Sequence, residues 1–299
     1  MLTGILAGLA AGALWGLVFV APLLAPALGP VDLVAGRFAV YGITAVLVMG
    51  LARRKRRWPT WNQFGAALGL SALGFSGYYL LLVLAIRDAG VEVPTLIIGT
   101  IPVWVMLLGK PHGLLWRHLL PGLLFTVVGV VLMMGAQTEG THSWVMDDPV
   151  YWRGLGFALL AMVSWTAFAV LNSAWLKRHH AVNVTDWTNW LGVGAGLPAV
   201  LVWLVAGTEP NVLLAREGIA QAAMVCIAAG VGSAWLATIL WNVASRRLSA
   251  SLCGQLIVSE TLFALLYAFV VSGAWPQRMQ VAASVVFVVG IMASIRAHR

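Results

Sequence analysis

The stretch GQLIVSETLFALLYAFV, residues 254–270, decides the fold class, because apolar side chains fill it apart from a short polar group near its middle. A bilayer core about 30 Å thick needs about 20 predominantly apolar residues per helix, so this stretch predicts a membrane-spanning helix. Glu260 lies within it, and a charge at the centre of such a helix costs roughly 2.5–3.5 kcal/mol on insertion scales. We therefore expect Glu260 to face the protein interior, where desolvation favours the neutral carboxyl group.

The composition of the whole chain agrees with this interpretation. Hydrophobic residues make up 61% of the 299 residues and charged residues only 9%, whereas about 25% of residues are charged in soluble proteins. The two cysteines, Cys226 and Cys253, lie in apolar stretches, so no disulfide framework or CxxC site is expected. The first residues lack the basic region of a signal peptide, and we expect them to form a mature helix.

Apolar stretches of similar length follow one another along the chain, separated by short polar segments. Their lengths predict an all-α integral membrane protein with ten transmembrane helices. The longest polar segment, residues 137–151, is predicted to be a periplasmic loop connecting a five-helix repeat at 1–136 to a second one at 152–299. The predicted spans are residues 2–22, 31–51, 62–86, 91–109, 117–136, 152–176, 184–206, 217–244, 249–272 and 277–296.

Lysine and arginine are distributed unevenly between the two sets of helix ends. One set holds 13 of them, including the whole run at residues 53–57, and the opposite set holds four. Basic residues concentrate in cytoplasmic loops, so both termini are predicted to be cytoplasmic. The basic run is interpreted as a topology anchor that can also contact anionic lipid, and no nucleic acid is expected as a partner.

The two halves of the sequence resemble each other. GILAGLAAGALW (4–15) and GLGFALLAMVSW (154–165) both begin with glycine, keep small residues along one face and end in tryptophan. Because each half has five predicted spans, the second half would lie inverted relative to the first. Inverted repeats are frequent among secondary transporters, which place the substrate site near the midplane between them.

Four glycines recur at every fourth residue of the first predicted span, at positions 4, 8, 12 and 16. Small residues at this spacing allow two membrane helices to approach closely, so we predict that this ridge packs against another helix. A smooth ridge would also allow one helix to rock against the other.

Aromatic residues at mid-depth are candidates for a cavity wall. Trp15, Trp165 and Trp235 fall near the centres of three predicted spans, where an indole N–H has no water unless a cavity supplies it. Core packing is the alternative explanation. Tyr78 and Tyr79 add two phenol groups, of which one is expected to pack, since adjacent helical residues do not face the same side.

Polar residues at depth supply the remaining candidates, although each could instead form a hydrogen bond between helices. Pro102 either frees a backbone carbonyl group or kinks its helix. Arg37 lies about two turns from one end of the second span. The candidates for substrate binding, besides the five aromatic residues, are Thr100, Gln255, Ser259 and Glu260, and those for a gate or mouth are Arg37 and Pro102.

Motifs of enzyme chemistry are not found in the sequence. It contains no GxxxxGK[ST] phosphate loop, no HExxH and no paired cysteines. We therefore expect neither an enzyme nor a bound metal or cofactor.

Several segments resemble the EamA type of the drug/metabolite transporter superfamily. ALWGLVFV is similar to its first-helix motif at Trp15 and Gly16, and Pro102 in LAIRDAGVEVPTLIIGTIPVW matches a typical proline. In the second half SWTAFAV is similar, and ILWNVASRRLSAS resembles amino acid exporters of the YddG type at Trp241. The ninth span departs from the family, because Ser259, Glu260 and Thr261 replace its usual Ser/Thr-Pro pair.

The resemblance implies two inverted repeats of five helices, with the fifth and tenth helices peripheral to a central cavity. With the residues above, it predicts an inner-membrane exporter of amino acids, including aromatic and apolar ones, that works by alternating access. The expected partners are a small-molecule substrate and the lipid bilayer. Efflux of other small metabolites or drugs is the alternative, and a membrane-embedded enzyme or a channel is a more distant one.

Overall fold

The computed structural model of the protein describes residues 1–51, 59–89, 94, 97–110, 114–138, 149–273, 275 and 277–298. Within these ranges the regular secondary structure is helical and no strand occurs. The predicted all-α class is therefore confirmed for the described residues. The basic run at 53–57 and residues 139–148 of the predicted connecting loop lie outside them.

The helices follow the order of the predicted spans. Those of the first half are α1 (Leu2–Gly16), α2 (Ala21–Leu24), α3 (Pro30–Leu51), α4 (Trp61–Ser71), α5 (Gly77–Ala89), α6 (Ile101–Leu108) and α7 (Trp116–Thr138). Those of the second half are α8 (Pro149–Arg178), α9 (Val184–Ala206), α10 (Pro210–Leu214), α11 (Ile219–Ala228), α12 (Ala237–Arg247), α13 (Ala250–Ser272) and α14 (Arg278–Ala297). Short π-helical segments join α4 to α5 (Ala72–Ser76) and α11 to α12 (Ala229–Leu236).

Seven helices among the described residues are long and apolar enough to cross a membrane. They are α3, the continuous α4–α5, α8, α9, the continuous α11–α12, α13 and α14. Helix α1 and the apolar part of α7 are shorter, and α6 has eight residues. Length and composition thus support seven of the ten predicted spans, and the three shorter helices occupy the first, fourth and fifth predicted spans.

Local sequence explains where several helices begin and end. Thr60 and Gln63 form a capping box at the start of α4, in which Thr60 Oγ1 accepts from Gln63 N (3.3 Å) and Gln63 Oε1 accepts from Thr60 N (3.0 Å). Ser249 Oγ accepts from Leu252 N (3.1 Å) before α13. Gly273 ends α13 with a φ of 66°, a conformation that glycine adopts without strain.

Two large apolar clusters fill the interior. The first surrounds Trp15, Trp241 and Leu256, where α1, α12 and α13 meet. The second contains Phe38 from α3 and Trp187 from α9, together with residues of α5 and α8. Trp165 packs against both clusters, so α8 connects the two parts of the core.

The principal contacts between the halves are made by pairs of helices. Helix α3 packs along α9, α5 along α8, α7 along α14, and α1 along both α12 and α13, while α6 packs against α13. The α3–α9 pair is antiparallel, since Asp32 contacts Trp203 whereas Tyr41 contacts Thr188. A Cβ atom added to Gly42 would lie 3.4 Å from the Cα of Gly196, so glycine permits the close approach.

The glycine ridge of α1 packs against α13, as predicted. A Cβ atom added to Gly8 would lie 2.7 Å from Cδ1 of Leu256, and one added to Gly16 would lie 2.9 Å from the Ala264 nitrogen. At Gly12 it would overlap the Ser259 hydroxyl group. The prediction of close helix packing is confirmed, and the partner is the helix that carries Glu260.

Candidate functional site

Three tryptophans from three helices meet at the centre of the first cluster. The ring centroids of Trp15 on α1 and Trp165 on α8 lie 6.2 Å apart. Trp241 on α12 lies 5.3 Å from Trp15 and 6.2 Å from Trp165. The structure therefore brings together two of the predicted wall residues, one from each half, and adds a tryptophan that the sequence singled out only through the family resemblance.

A chain of edge-to-face aromatic contacts continues from Trp165 into the second cluster. Successive centroids are separated by 6.2, 5.2, 6.0, 6.2 and 6.5 Å. This geometry places the positive edge of one ring against the negative face of the next, which is the favourable arrangement. The rings in order are Trp165, Phe168, Phe75, Phe38, Tyr79 and Tyr78. Together with Trp15 and Trp241 we call them the aromatic chain.

Two charges of opposite sign lie beside the aromatic chain. The guanidinium carbon of Arg37 is 5.2 Å from the centre of the Phe38 ring, and Nη2 donates to the carbonyl oxygen of Ser233 at 3.4 Å. Glu260 of α13 is near enough to attract Arg37 electrostatically, and Tyr78 is in range of both. The half-buried Glu260 carboxyl group thus has a cation of the other half within electrostatic range, and this attraction offsets part of its desolvation cost.

Arg37 retains hydrogen-bonding capacity in this arrangement. A guanidinium group has five N–H donors. The Nε atom of Arg37 is buried, and it has no hydrogen-bond acceptor among the described residues. A buried donor without a partner is costly. Arg37 Nε can therefore donate a hydrogen bond to a further acceptor, such as an anionic group of a ligand.

A buried polar network lies between α8, α9 and α12. Asn172 Nδ2 donates to Asn242 Oδ1 (2.8 Å), and Asn172 Oδ1 accepts from Trp187 Nε1 (2.8 Å). Asn242 Nδ2 in turn donates to Thr188 Oγ1 (2.9 Å). The Tyr41 hydroxyl donates to the Thr188 carbonyl oxygen at 2.9 Å, which ties α3 to the network. Both amide groups are held on two sides, so the network fixes helix positions.

Trp235, the third predicted wall tryptophan, packs against the second cluster. Its Nε1 donates to Asn189 Oδ1 at 2.8 Å. Asn189 is fully buried, and its Nδ2 has no acceptor among the described residues. The indole N–H is thus satisfied by an asparagine of α9, and the free donor in this pair belongs to Asn189.

Gln255 and Ser259 lie in interfaces between helices. Gln255 is fully buried, and its amide contacts the hydroxyl groups of Thr126 (3.0 Å) and Ser294 (3.1 Å) on α7 and α14. Ser259 donates to the Leu256 carbonyl oxygen at 2.7 Å and faces Gly12. Gln255 thus links three helices, whereas the Ser259 hydroxyl group bonds within α13 at the contact with α1.

Thr100 and Pro102 lie at the start of α6. The Thr100 hydroxyl donates to the Ile97 carbonyl oxygen at 2.7 Å and accepts from Trp104 Nε1 at 3.2 Å. Its oxygen also lies 3.2 Å from the sulfur of Met162 on α8, a residue that packs against the first cluster. Pro102 is buried in the first turn of α6, where its missing N–H leaves no helical bond unmade.

Sequence reasoning did not single out Phe38, Phe75, Phe168 or Asn189. Phenylalanine is common in membrane helices, so its presence carries no signal without knowledge of helix pairing. The polar Asn189 in an apolar span is a signal that could have identified its position. Among the described residues no group of three or more histidine, cysteine or acidic side chains could hold a metal ion.

The fold and this interior define a polytopic helical membrane protein with an aromatic and charged centre between its halves. The model of the EamA-like transporter family matches residues 2–135, a little under half of the chain, so this part of the chain is similar to that family. The resemblance stated from the sequence is thereby confirmed.

Two further similarities concern a curated protein and a solved structure. The inner membrane protein YtfF of Escherichia coli (strain K12) is 32% identical over 151 residues, which cover 48% of this chain and 46% of that protein. The matched region thus spans about half the length of this curated relative. A solved crystal structure superposes with a TM-score of 0.78 over 98% of both chains at 21% identity, which shows that the two share a fold.

Proposed function

We propose that the protein is an inner-membrane exporter of amino acids, including aromatic and other apolar ones. Two inverted five-helix halves would expose a central site alternately to the cytoplasm and to the outside. Both termini would be cytoplasmic, as the distribution of basic residues suggests. The reaction is movement of an unmodified solute, so it needs no covalent step and no cofactor.

The observation that carries this proposal is the position of Arg37 over the Phe38 ring of the aromatic chain, with Glu260 within electrostatic range. An amino acid carries a carboxylate and an ammonium group on one carbon atom. The carboxylate fits a guanidinium group, and the ammonium fits a carboxylate and the faces of aromatic rings. Rings along the same path offer apolar contact to an aromatic or aliphatic side chain.

The helix pairing supports the inverted repeat. An inverted repeat relates each predicted span to the span five places along the chain. Exchanging the related helices leaves three observed pairs unchanged: α3–α9, α6–α13 and α7–α14. The same exchange converts the α5–α8 pair into the α12–α1 pair, which is also observed. An antiparallel pair such as α3–α9 is related by an axis perpendicular to the helices, which is the symmetry of an inverted repeat.

The proposed inner-membrane location is based on the similarity to YtfF and on the long apolar helices. YtfF is described as an inner membrane protein. Seven long apolar helices among the described residues support a membrane location, and the similarity to YtfF over half the chain supports the inner membrane. The substrate class does not follow from that similarity, so it rests on the central site.

Counterflow in proteoliposomes tests the function. Purified protein is reconstituted with unlabelled tryptophan, leucine, alanine, adenosine or tryptamine inside, and uptake of the labelled compound is followed. We expect transient accumulation of tryptophan and leucine, and none of adenosine or tryptamine. Flat traces for every amino acid would refute the proposal.

The same panel separates the alternatives. Accumulation of tryptamine and adenosine without amino acids would indicate efflux of other metabolites or drugs, for which aromatic contacts alone suffice. A channel would show flux that does not saturate. A membrane-embedded enzyme would move none of the compounds.

A further inference from the structure

We infer that Asp32 is a gating residue: it closes one end of the protein through a clasp that must open for substrate to pass at that end. The clasp consists of Asp32 from the first half and of Trp203, Thr208 and Arg216 from the second. All residues of the clasp are described by the structure. Its role in transport rests on the proposed function.

The Asp32 carboxylate lies in the first turn of α3, and the residue is only 5% exposed. Oδ1 accepts from Trp203 Nε1 (3.0 Å) and from the Thr208 backbone nitrogen (2.9 Å). Oδ2 accepts from Thr208 Oγ1 (2.7 Å) and from the Gly29 nitrogen (3.3 Å). A carboxylate offers about four acceptor sites, so the acceptor capacity of Asp32 is fully used.

Two further bonds fasten the same segments together. Arg216 Nη1 donates to the Ala27 carbonyl oxygen (2.9 Å), and its Nη2 lies 3.5 Å from Thr208 Oγ1. Gln221 Nε2 donates to the Leu24 carbonyl oxygen at 3.0 Å. Beneath them a small apolar cluster joins the halves, formed by Ala25, Leu33, Ala222 and Cys226. Residues 24–32 of the first half are thus tied to residues 203–221 of the second.

The position of the clasp explains why it would act as a gate. It joins the start of α3 to the end of α9, and these helices form the antiparallel pair between the halves. The two halves cannot separate at this end while the clasp is closed. Under the proposed orientation this is the outer end, so the clasp controls release of an exported substrate.

The repeat adds a second indication. Asp32 is the third residue of α3, and Asp186 is the third residue of α9. Because α3 and α9 are antiparallel, these two aspartates lie at opposite ends of the pair. An acidic residue therefore occupies the same position in each half, at alternate ends of the protein.

The test measures the opening of the clasp directly, without substrate. Leu24 and the exposed Leu214 are replaced by cysteine for spin labels in a background with Cys226→Ala and Cys253→Ala. Double electron–electron resonance on the full chain in lipid nanodiscs then gives the distance distribution between the two segments. For the wild-type clasp we expect one narrow population.

Thr208→Val removes the hydroxyl donor with little change of shape, and Asp32→Ala removes all four accepted bonds. We expect each variant to gain a population at longer distance, with the ratio of open to closed molecules raised roughly tenfold or more. Glu209→Gln is the matched control, because it changes an exposed carboxylate one residue from Thr208 and should leave the distribution unchanged.

The double variant Asp32→Ala/Thr208→Val should open little further than Asp32→Ala, because the two changes remove shared bonds. Unchanged distributions in both single variants, with the protein eluting as a folded species, would overturn the inference. Because no substrate is present, this result is independent of counterflow. An open shift without amino acid counterflow would retain the clasp and reject the proposed function.

Discussion

At the scale of single residues, the central question is how a bilayer-spanning protein tolerates Glu260. The sequence identifies the residue as costly but shows no basic residue in its own span. The structure supplies Arg37 from the other half, beside Phe38 of the aromatic chain. Because Arg37 and Glu260 lie on different halves, movement of the halves would change the distance between their charges.

Glu260→Gln keeps the size of the side chain and removes its charge. We expect amino acid transport to fall by about tenfold or more, because a hydrogen bond to a charged group contributes about 1.5–3 kcal/mol. Transport by the wild type should also depend on pH, because glutamate can be protonated at this position and glutamine cannot. The Glu260→Gln variant should lack this pH dependence, as measured by counterflow at several pH values.

Glu260→Leu should abolish transport while the protein still reaches the membrane, because leucine removes every polar contact. Glu217→Gln changes an exposed carboxylate and serves as the control. If the Glu260→Gln variant kept the wild-type rate and pH profile, Glu260 would be a structural residue.

The tryptophans make a different prediction at this scale. Trp15→Ala and Trp165→Ala remove aromatic contact area that only large substrates use. We expect tryptophan counterflow to fall severalfold more than alanine counterflow. Trp61→Ala, at a side chain that is 88% exposed, should change neither. An equal loss for both substrates, with normal expression, would indicate a packing role.

At the scale of helices, small residues decide how closely two helices approach. Gly12 has no space for a side chain, because Ser259 of α13 faces it, whereas a Cβ atom on Gly65 of α4 would meet nothing within 4 Å. A substitution by alanine should therefore be unfavourable at Gly12 and tolerated at Gly65. Sequence spacing marked the α1 ridge, but only the structure shows which helix it packs against.

Gly12→Ala should lower the midpoint of thermal unfolding in detergent, because the new methyl group forces α1 away from α13. Gly65→Ala should leave it unchanged or raise it, since alanine is the better helix former by about 1 kcal/mol. Adding Ser259→Ala to Gly12→Ala removes the overlapping hydroxyl group and should restore part of the loss. Equal midpoints for the two glycine variants would contradict the packing.

Hydropathy was sufficient to predict most helices, because a bilayer demands long apolar segments whatever their tertiary contacts. It placed α3, α8, α9, α13 and α14 to within a few residues. It could not predict that Phe38, Phe75 and Phe168 meet, because that depends on which helices are neighbours. For the same reason Gln255 was placed among the substrate-binding candidates, although its amide contacts two hydroxyl groups of neighbouring helices.

At the scale of the whole molecule, the principal helix pairs between the halves are those expected from the proposed inverted repeat. The helices α3, α6 and α7 each pack against their own counterparts. Arg37 on α3 and Glu260 on α13 lie on helices of these pairs, so relative motion of the halves would alter the site. A rocking motion would then couple the central charges to the Asp32 clasp without any change inside a single helix.

The orientation of the molecule has its own test. A cysteine at Thr141, in the predicted outer loop beyond the described residues, should react with an impermeant maleimide in intact cells. A cysteine at Thr60, in the capping box of α4, should react only after the membrane is permeabilised. This prediction is based on the 13 basic residues at one set of helix ends against four at the opposite set. The reverse labelling pattern would overturn the topology.

The two π-helical segments set the rotational phase of the helices that follow them. They occupy the third span of each half, at Ala72–Ser76 and at Ala229–Leu236. A π-helical bulge accommodates a residue beyond those of a regular α-helix, and successive residues of an α-helix are rotated by about 100°. Deleting one residue from Ala229–Leu236 would therefore turn Trp241 away from Trp15 and direct another face of α12 to the centre. The aromatic chain thus depends on one extra residue in a helix as much as on its own side chains.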